Sequence, residues 1–171
     1  MLPRKLRVVI TNEQEEVKIP TGVRMLMRRA CTAALPEEGF TDAVEVNVRF
    51  VKDETIQELN KKHRNIDSPT DVLSFPLGEN GVYDENPETG AKMLGDVVIS
   101  MPRASAQAEQ FEHSIQREVC YLTVHSLLHL LGYDHVSGGL ELVRMREKEE
   151  AALSKIGLKR NSSYYMDDSE E

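Results

Sequence analysis

The stretch that decides the fold is His125-Ser126-Leu127-Leu128-His129-Leu130-Leu131-Gly132-Tyr133-Asp134-His135, which contains three of the five histidines of the chain. His125 and His129 are four residues apart, so a helix would carry both imidazoles on one face. Gly132 stands where a left-handed residue commonly ends a helix, and a turn there would bring His135 back toward the other two. Three nitrogens around an open fourth position are typical of a catalytic zinc site. The sequence therefore predicts one Zn²⁺ per chain, bound by His125, His129 and His135.

The same stretch lacks one residue that a related class of proteases needs. Its His-x-x-x-His-x-x-Gly-x-x-His spacing is that of the metzincin proteases, which carry Glu directly after the first His as the general base. Ser126 stands at that position here, and a hydroxyl near its normal pKa cannot act as this base. The pattern thus predicts a hydrolytic metal site. A metallopeptidase remains an alternative, and so do histidines that only pack in a core.

The residues around the histidines predict a largely buried helix. Ser114 can cap its first turn, and apolar side chains surround nearly all of it as far as Leu131. Segment 44–50 alternates apolar and polar residues, which predicts a half-buried strand. Thr21 and Asp53 can cap two further helices, and Pro102 can stand in the first turn of a third. We expect the other strands at 6–11, 71–76 and 94–100, and the other helices at 21–35, 53–63, 102–111 and 140–156.

These elements predict an α+β fold, with one mixed four-stranded sheet covered by about five helices. We expect a single domain over residues 1–160, with the zinc motif on the buried central helix and its following turn. Residues 78–92 are rich in Gly, Asn, Pro and Glu, and predict a long surface loop. The tail, 161–171, is acidic and polar, and we expect it to be disordered.

The charge of the chain is unevenly distributed. The net charge is −8 and the isoelectric point about 5.2, which on its own argues against a nucleic-acid partner. Residues 1–36 nevertheless have a net charge of +4, which leaves −12 for the remainder. They could form a basic face on the side of the functional site, although an ordinary mixed surface explains the count equally well. The basic residues are Arg4, Lys5, Arg7, Lys18, Arg24, Arg28 and Arg29.

The cysteines and the apolar runs bear on where the protein works. Cys31 and Cys120 lie far apart in apolar helical patterns, so we interpret them as free buried thiols. No apolar run approaches the roughly 20 residues of a membrane span, and the first residues do not form a signal-peptide core. We expect a cytoplasmic protein with no membrane contact.

A second group of functional residue types lies at 60–76, in a predicted connection between a helix and a strand. It contains Arg64, Asp67, Pro69, Thr70 and Asp71 within eight residues. Pro69 stiffens the segment, and the two aspartates can bond neighbouring backbone N–H groups. A capped loop whose Arg64 closes a salt bridge would explain this composition without any catalytic role.

Together with the histidines, this segment resembles the YbeY family of ribosomal RNA maturation factors. The family signature runs His-Gly-x-Leu-His-Leu-x-Gly-Tyr-Asp-His, preceded by Arg-x-x-Asp-x-Pro-Thr-Asp-Val-Leu-Ser-Phe-Pro and by Gly-Asp before a strand. The last of these is Gly95-Asp96 here, and the matching segments span about residues 60–135. The chain departs from the histidine motif at Ser126, where the family usually has Gly, which concerns close packing above the helix.

The resemblance implies a metal-dependent, single-strand-specific endoribonuclease that acts in ribosomal RNA maturation and ribosome quality control. It implies that Arg64 and His125 are catalytic, and that Arg64 also binds substrate in a cleft near the metal. Zn²⁺ would be held by His125, His129 and His135. The implied partners are single-stranded RNA, especially ribosomal RNA precursors, and the small ribosomal subunit or its assembly factors. A non-catalytic assembly factor with a structural zinc is the remaining alternative.

Neither the residues nor the resemblance identifies a general base. Asp134 and Glu118 are candidates for it, and Glu118 lies seven residues before His125, on the same predicted helix face. Both, together with Asp96, are also candidates to orient a ligand histidine by hydrogen bonding.

Overall fold

The computed structural model of the chain describes residues 6–35, 43–79, 82–132 and 139–158. The described helices are α1 (Val23–Ala34), α2 (Asp53–Arg64), α3 (Met101–Gln110), α4 (Ile115–Leu130) and α5 (Gly139–Lys155). The described strands are β1 (Leu6–Asn12), β2 (Val44–Val51), β3 (Val72–Pro76), β4 (Gly78–Glu79), β5 (Val82–Tyr83) and β6 (Lys92–Ser100). The predicted tail, 161–171, lies outside the described residues.

Four strands form one mixed sheet, in the order β1-β2-β6-β3. β1, β2 and β6 are parallel, and β3 pairs antiparallel with β6, so β1 and β3 are the two edges. Parallel neighbours need crossover connections, and α1 makes the crossover between β1 and β2. The predicted α+β class with a mixed four-stranded sheet is confirmed.

The helices divide between the two faces of the sheet. One face carries the main core, in which Val46, Val48 and Phe50 of β2 pack with buried residues of α1, α4 and α5. The other face carries a smaller apolar cluster around Ile56 of α2 and Leu73 of β3. α1 packs against β1, whereas α4 packs against β6 and β3. α5 packs against both α1 and α4. α3 also packs against α4, so the central helix is enclosed by the sheet and three helices, as its composition predicts.

The helix ends show where local chemistry decides the structure. The side chain of Ser114 accepts a hydrogen bond from the backbone N–H of Arg117, as expected of a cap. Asp53 is instead the first residue of α2, and its carboxylate accepts the hydroxyl of Ser100 at 2.6 Å. Thr21 is likewise not the cap of α1, because left-handed Gly22 takes that position. Both of these predicted caps are wrong, by one residue each.

The segment predicted as a surface loop contains a small hairpin, formed by β4 and β5. Tyr83 of this hairpin is buried, and its hydroxyl donates a hydrogen bond of 2.9 Å to the backbone carbonyl of Leu130. The prediction for residues 78–92 is therefore wrong in part, because one aromatic side chain anchors this polar segment to the end of α4.

The two cysteines are buried free thiols, as predicted. Burial raises the pKa of both Cys31 and Cys120 to about 12, so they stay protonated at neutral pH. None of the described helices combines the length and hydrophobicity needed to cross a membrane.

Candidate metal centre

His125 and His129 lie one turn apart on α4, and their ring nitrogens converge. The two Nε2 atoms are 3.2 Å apart, and the rings meet nearly at right angles, at 81°. Two imidazole nitrogens bound to one tetrahedral zinc, each at about 2.0–2.1 Å, are roughly 3.3 Å apart. The spacing of these two nitrogens therefore fits a shared zinc ion.

The other ring nitrogen of His125 is bound by a carboxylate from α5. Its Nδ1 lies 2.5 Å from Oε2 of Glu149, whose side chain is only 3% exposed. A carboxylate that accepts from Nδ1–H fixes the tautomer in which Nε2 carries the lone pair. Sequence reasoning missed Glu149, although an acidic residue within the apolar pattern of Met145, Ala152 and Leu153 was the available signal.

Tyr121 continues the same face of α4 by one turn toward its start. Its ring lies 5.8 Å from that of His125, centroid to centroid, at an angle of 32°. Burial raises the pKa of this phenol to about 12, and the nearby carboxylates of Glu149, Glu118 and Asp71 act in the same direction. Tyr121 thus presents a neutral hydroxyl and an aromatic wall beside the histidines.

Two of the predicted site residues, His135 and Asp134, lie outside the described residues. Among the described residues, no group of three His, Cys, Asp or Glu side chains gathers closely enough to hold a metal. The glycine that should redirect the chain, Gly132, has a positive φ of 101° and lies two residues after the end of α4. Zinc binding by His125, His129 and His135 therefore remains a prediction.

Glu118 is bound by side chains other than the histidine pair. Its two oxygens bind Nε2 of His113 at 2.6 Å and the amide of Gln107 at 2.7 Å. The expectation that Glu118 orients His125 is therefore corrected, because both oxygens are engaged by α3 and the turn after it. Gln107 also donates to Asp71 at 3.4 Å, so this side chain of α3 links Glu118 to the residue before β3.

Asp96 does not contact the histidines either. Its Oδ1 accepts a hydrogen bond of 3.1 Å from the side-chain amide of Asn47. It shares a sheet face with Val98, two residues on, which belongs to the apolar cluster under α2. The expectation that Asp96 orients His125 or His129 is corrected, because the sheet separates it from α4.

Arg64 is the last residue of α2, a helix whose apolar side chains pack on the sheet face opposite to α4. Its side chain is exposed, and Nη1 donates one long hydrogen bond, 3.4 Å, to Asn60. Asn60 in turn donates to the carbonyl of Ser68 at 2.9 Å, which ties the end of α2 to the segment before β3. The structure thus gives Arg64 no contact with His125 or His129, and its role in the cleft remains a prediction.

Two basic residues of the first third, Arg7 and Arg28, lie at the other edge of the sheet. Arg28 of α1 and Arg7 of β1 line one groove along the outer side of β1. The histidines and Arg64 belong to elements that pack against β3, at the opposite edge. The hypothesis of a basic face on the side of the functional site is therefore wrong for these two arginines.

Comparison with known proteins decides the relationship. The family model described as endoribonuclease YbeY matches residues 9–157. The chain belongs to the endoribonuclease YbeY family. It is similar to an endoribonuclease YbeY of Caldanaerobacter subterraneus, with 49% identity, covering 91% of this chain and all of the relative. One from Desulforamulus reducens is 43% identical, again covering 91% of this chain and all of the relative.

A solved structure agrees at the level of the fold. The solution structure of a Thermotoga maritima protein superposes with a TM-score of 0.53, covering 86% of this chain and 90% of that one. Its sequence is 24% identical, so the likeness concerns the fold.

Ser126 is where this YbeY family member departs from the usual motif, and the structure shows the consequence. The residue is fully buried on α4, and its Oγ has no hydrogen-bond partner among the described residues. An unsatisfied buried hydroxyl costs about 1–3 kcal/mol. The departure therefore leaves a buried hydroxyl without a described partner directly after His125, while the two histidine Nε2 atoms stay 3.2 Å apart.

Proposed function

We propose that this chain is a zinc-dependent endoribonuclease that cuts single-stranded RNA, with ribosomal RNA precursors as its substrates. Endoribonuclease activity, which is hydrolysis of RNA, follows from membership of the YbeY family. The zinc ion, the ribosomal substrate, association with the small ribosomal subunit or its assembly factors, and a cytoplasmic location are our proposal.

The observation that carries the zinc proposal is the convergence of two Nε2 atoms at 3.2 Å. Two neutral imidazoles would not both direct lone pairs at each other without a cation or a proton between them. His125 is committed to this arrangement by Glu149, and imidazole nitrogens are preferred ligands of zinc. His135, after the left-handed Gly132, would supply the third nitrogen.

Two groups of residues would contribute to phosphodiester hydrolysis, the metal-binding histidines and Arg64. A bound zinc would lower the pKa of a water molecule toward about 7 and polarise a phosphoryl oxygen. His125, His129 and His135 would hold it, while Glu149 holds the ring of His125 in place. Arg64 would bind a phosphate through its planar fork and stabilise the charge that develops there.

The placement of Arg64 suits that role once RNA is bound. Its guanidinium is exposed, and its hydrogen bond to Asn60 is long, so a phosphate can replace this contact at little cost. Since α2 and α4 pack on opposite faces but both pack against β3, an RNA strand crossing this edge strand would pass both groups. Such a path follows the backbone and does not require base readout, which suits single-stranded RNA.

The experiment compares wild type with Arg64→Ala, Arg64→Lys and His129→Ala on one labelled single-stranded RNA. Arg64→Ala should keep its zinc and change the free energy of unfolding by less than about 0.5 kcal/mol. Its cleavage rate should nevertheless fall by roughly 10²–10³-fold, as expected when one donor to a developing anion is lost. Arg64→Lys should recover little of the lost cleavage rate, because an ammonium lacks the planar fork of a guanidinium.

Lys62→Ala is the matched control, since Lys62 is an exposed cation on the last turn of the same helix. It should cut RNA at the wild-type rate. A large drop in the melting temperature of Arg64→Ala, with cleavage lost only in proportion, would contradict the phosphate role. Purified wild type that cuts an unstructured protein and no RNA would contradict the proposed function.

A further inference from the structure

We propose that Glu149 is a positioning residue for the metal centre: it holds His125 in the tautomer and orientation that zinc binding requires. The inference deepens the proposed function and rests on its zinc site. It concerns a residue of α5, a helix that the histidine motif itself does not include.

The contact is short and shielded from water. Nδ1 of His125 and Oε2 of Glu149 are 2.5 Å apart, and the Glu149 side chain is 3% exposed against 23% for His125. A carboxylate placed this deep is costly unless a charged or strongly polar partner satisfies it. His125 is that partner, and the imidazole is thereby held from the side away from His129.

The position of Glu149 on α5 explains how the contact is built. Met145, Ala152 and Leu153 are buried and flank Glu149 at spacings of four, three and four residues, so they share its helix face. This apolar face packs α5 against α4. Glu149 is thus fixed by the same packing that joins the two helices, and its carboxylate is delivered to His125 without a flexible segment.

The consequence concerns both nitrogens of His125. When Nδ1–H donates to Glu149, Nε2 keeps its lone pair and faces Nε2 of His129 at 3.2 Å. A carboxylate behind a metal-binding histidine also raises the basicity of the ligand nitrogen. Loss of such partners commonly weakens metal binding by about 10–100-fold.

Glu150, the next residue on α5, makes different contacts from those of Glu149. Glu150 accepts two hydrogen bonds from Arg117, at 2.8 and 3.1 Å, and Arg117 also donates to the carbonyl of Leu158. That pair ties the end of α5 to the start of α4. The carboxylate of Glu149 is therefore not required for this second link between the helices.

The test measures zinc affinity by competition with a chromophoric chelator, using the full chain of wild type, Glu149→Gln, Glu149→Leu and Glu147→Gln. Glu147 is exposed on the same helix, so Glu147→Gln removes an equal charge away from the site. The Kd for zinc should rise about 10–100-fold in both Glu149 variants and stay unchanged in Glu147→Gln. If Glu149→Leu does not fold, the near-isosteric Glu149→Gln decides alone.

A second readout separates positioning from a merely structural role. In metal-free wild type, imidazole ¹⁵N–¹H correlation spectra should show His125 protonated on Nδ1, and Glu149→Leu should lose this preference. A structural role would lower the melting temperature and leave the tautomer unchanged. If Glu149→Gln binds zinc as tightly as wild type does, that result by itself overturns the inference.

Failure of the proposed function gives a different pattern. Wild type that binds no zinc overturns both the zinc site and the role of Glu149. Wild type that binds zinc, loses affinity on Glu149→Gln and cuts no RNA overturns the proposed activity and leaves Glu149 as the positioning residue.

Discussion

The hydroxyl of Tyr83 donates a hydrogen bond of 2.9 Å to the backbone carbonyl oxygen of Leu130, the last residue of α4. Carbonyl groups at the end of a helix have no partner within the helix, and a buried one must find another donor. The β4–β5 hairpin supplies it, one residue after His129. The segment that the composition predicts as a surface loop thus supports the end of the helix that carries His125 and His129.

Tyr83→Phe should destabilise the protein by about 1–3 kcal/mol, because it removes the donor and leaves the Leu130 carbonyl unsatisfied. Urea denaturation measures this loss. We expect a lower midpoint concentration of urea and an unchanged dependence of the free energy of unfolding on urea concentration. Val82→Ala is the control, since Val82 is 75% exposed on the same hairpin. Equal midpoints for Tyr83→Phe and wild type would show that the hydrogen bond contributes nothing.

Ser126→Ala should stabilise the protein by about 1 kcal/mol or more, because it removes a buried hydroxyl that lacks a partner and improves helix propensity. The change in melting temperature measures the gain. Thr123→Val is the control, since the buried Thr123 hydroxyl already donates to the Val119 carbonyl at 2.7 Å. A destabilised Ser126→Ala would mean that the hydroxyl is satisfied in the native protein.

Gly95→Ala should prevent stable folding. Gly95 is buried with φ of 150°, and an added Cβ would lie 2.7 Å from a methyl carbon of Leu130 and closer still to the carbonyl oxygen of Phe75. Overpacking against backbone costs several times the roughly 1 kcal/mol of a simple glycine effect. Soluble yield and melting temperature measure it. Gly90→Ala is the control, since Gly90 also has a positive φ, of 75°, but its Cβ would meet nothing within 4 Å. An equal effect of the two substitutions would contradict the close approach of Leu130 and Phe75 to Gly95.

Much of the fold could be predicted because its signals are local. The spacing of His125 and His129 places them on one helix face, and Ser114 caps that helix from its own sequence neighbourhood. The alternation at 44–50 gives the strand whose apolar face fills the core. Where two adjacent residues could each begin a helix, as at Thr21 and Gly22, local chemistry did not distinguish them.

The contacts that complete the site are not local, which is why the sequence did not reveal them. Glu149 is 24 residues after His125 on another helix, and Tyr83 is 47 residues before Leu130. Only the packing of α5 and of the hairpin against α4 brings them together. Glu118, seven residues before His125, has the right spacing for the shared face and is nevertheless engaged by Gln107 and His113.

The combined substitution of Arg28 and Arg29 by Gln should leave RNA cleavage within about twofold of wild type, because charges much farther than about 8 Å from the bound strand are screened at physiological salt. Arg28 lines the groove along β1, at the sheet edge opposite to β3. kcat/KM on single-stranded RNA measures this, with Arg64→Gln as the matched comparison. A loss in the double variant comparable to that of Arg64→Gln would mean that the RNA reaches the β1 edge.

The central claim, that a zinc ion on α4 and the turn after it cuts RNA, is tested most directly by one reconstitution. Metal-free wild type and metal-free His129→Ala are each given one equivalent of zinc, and cleavage of a labelled single-stranded RNA is followed. The account predicts no cleavage by metal-free wild type, recovery on addition of zinc, and no recovery in His129→Ala. Full cleavage by metal-free wild type, or by His129→Ala, would contradict it.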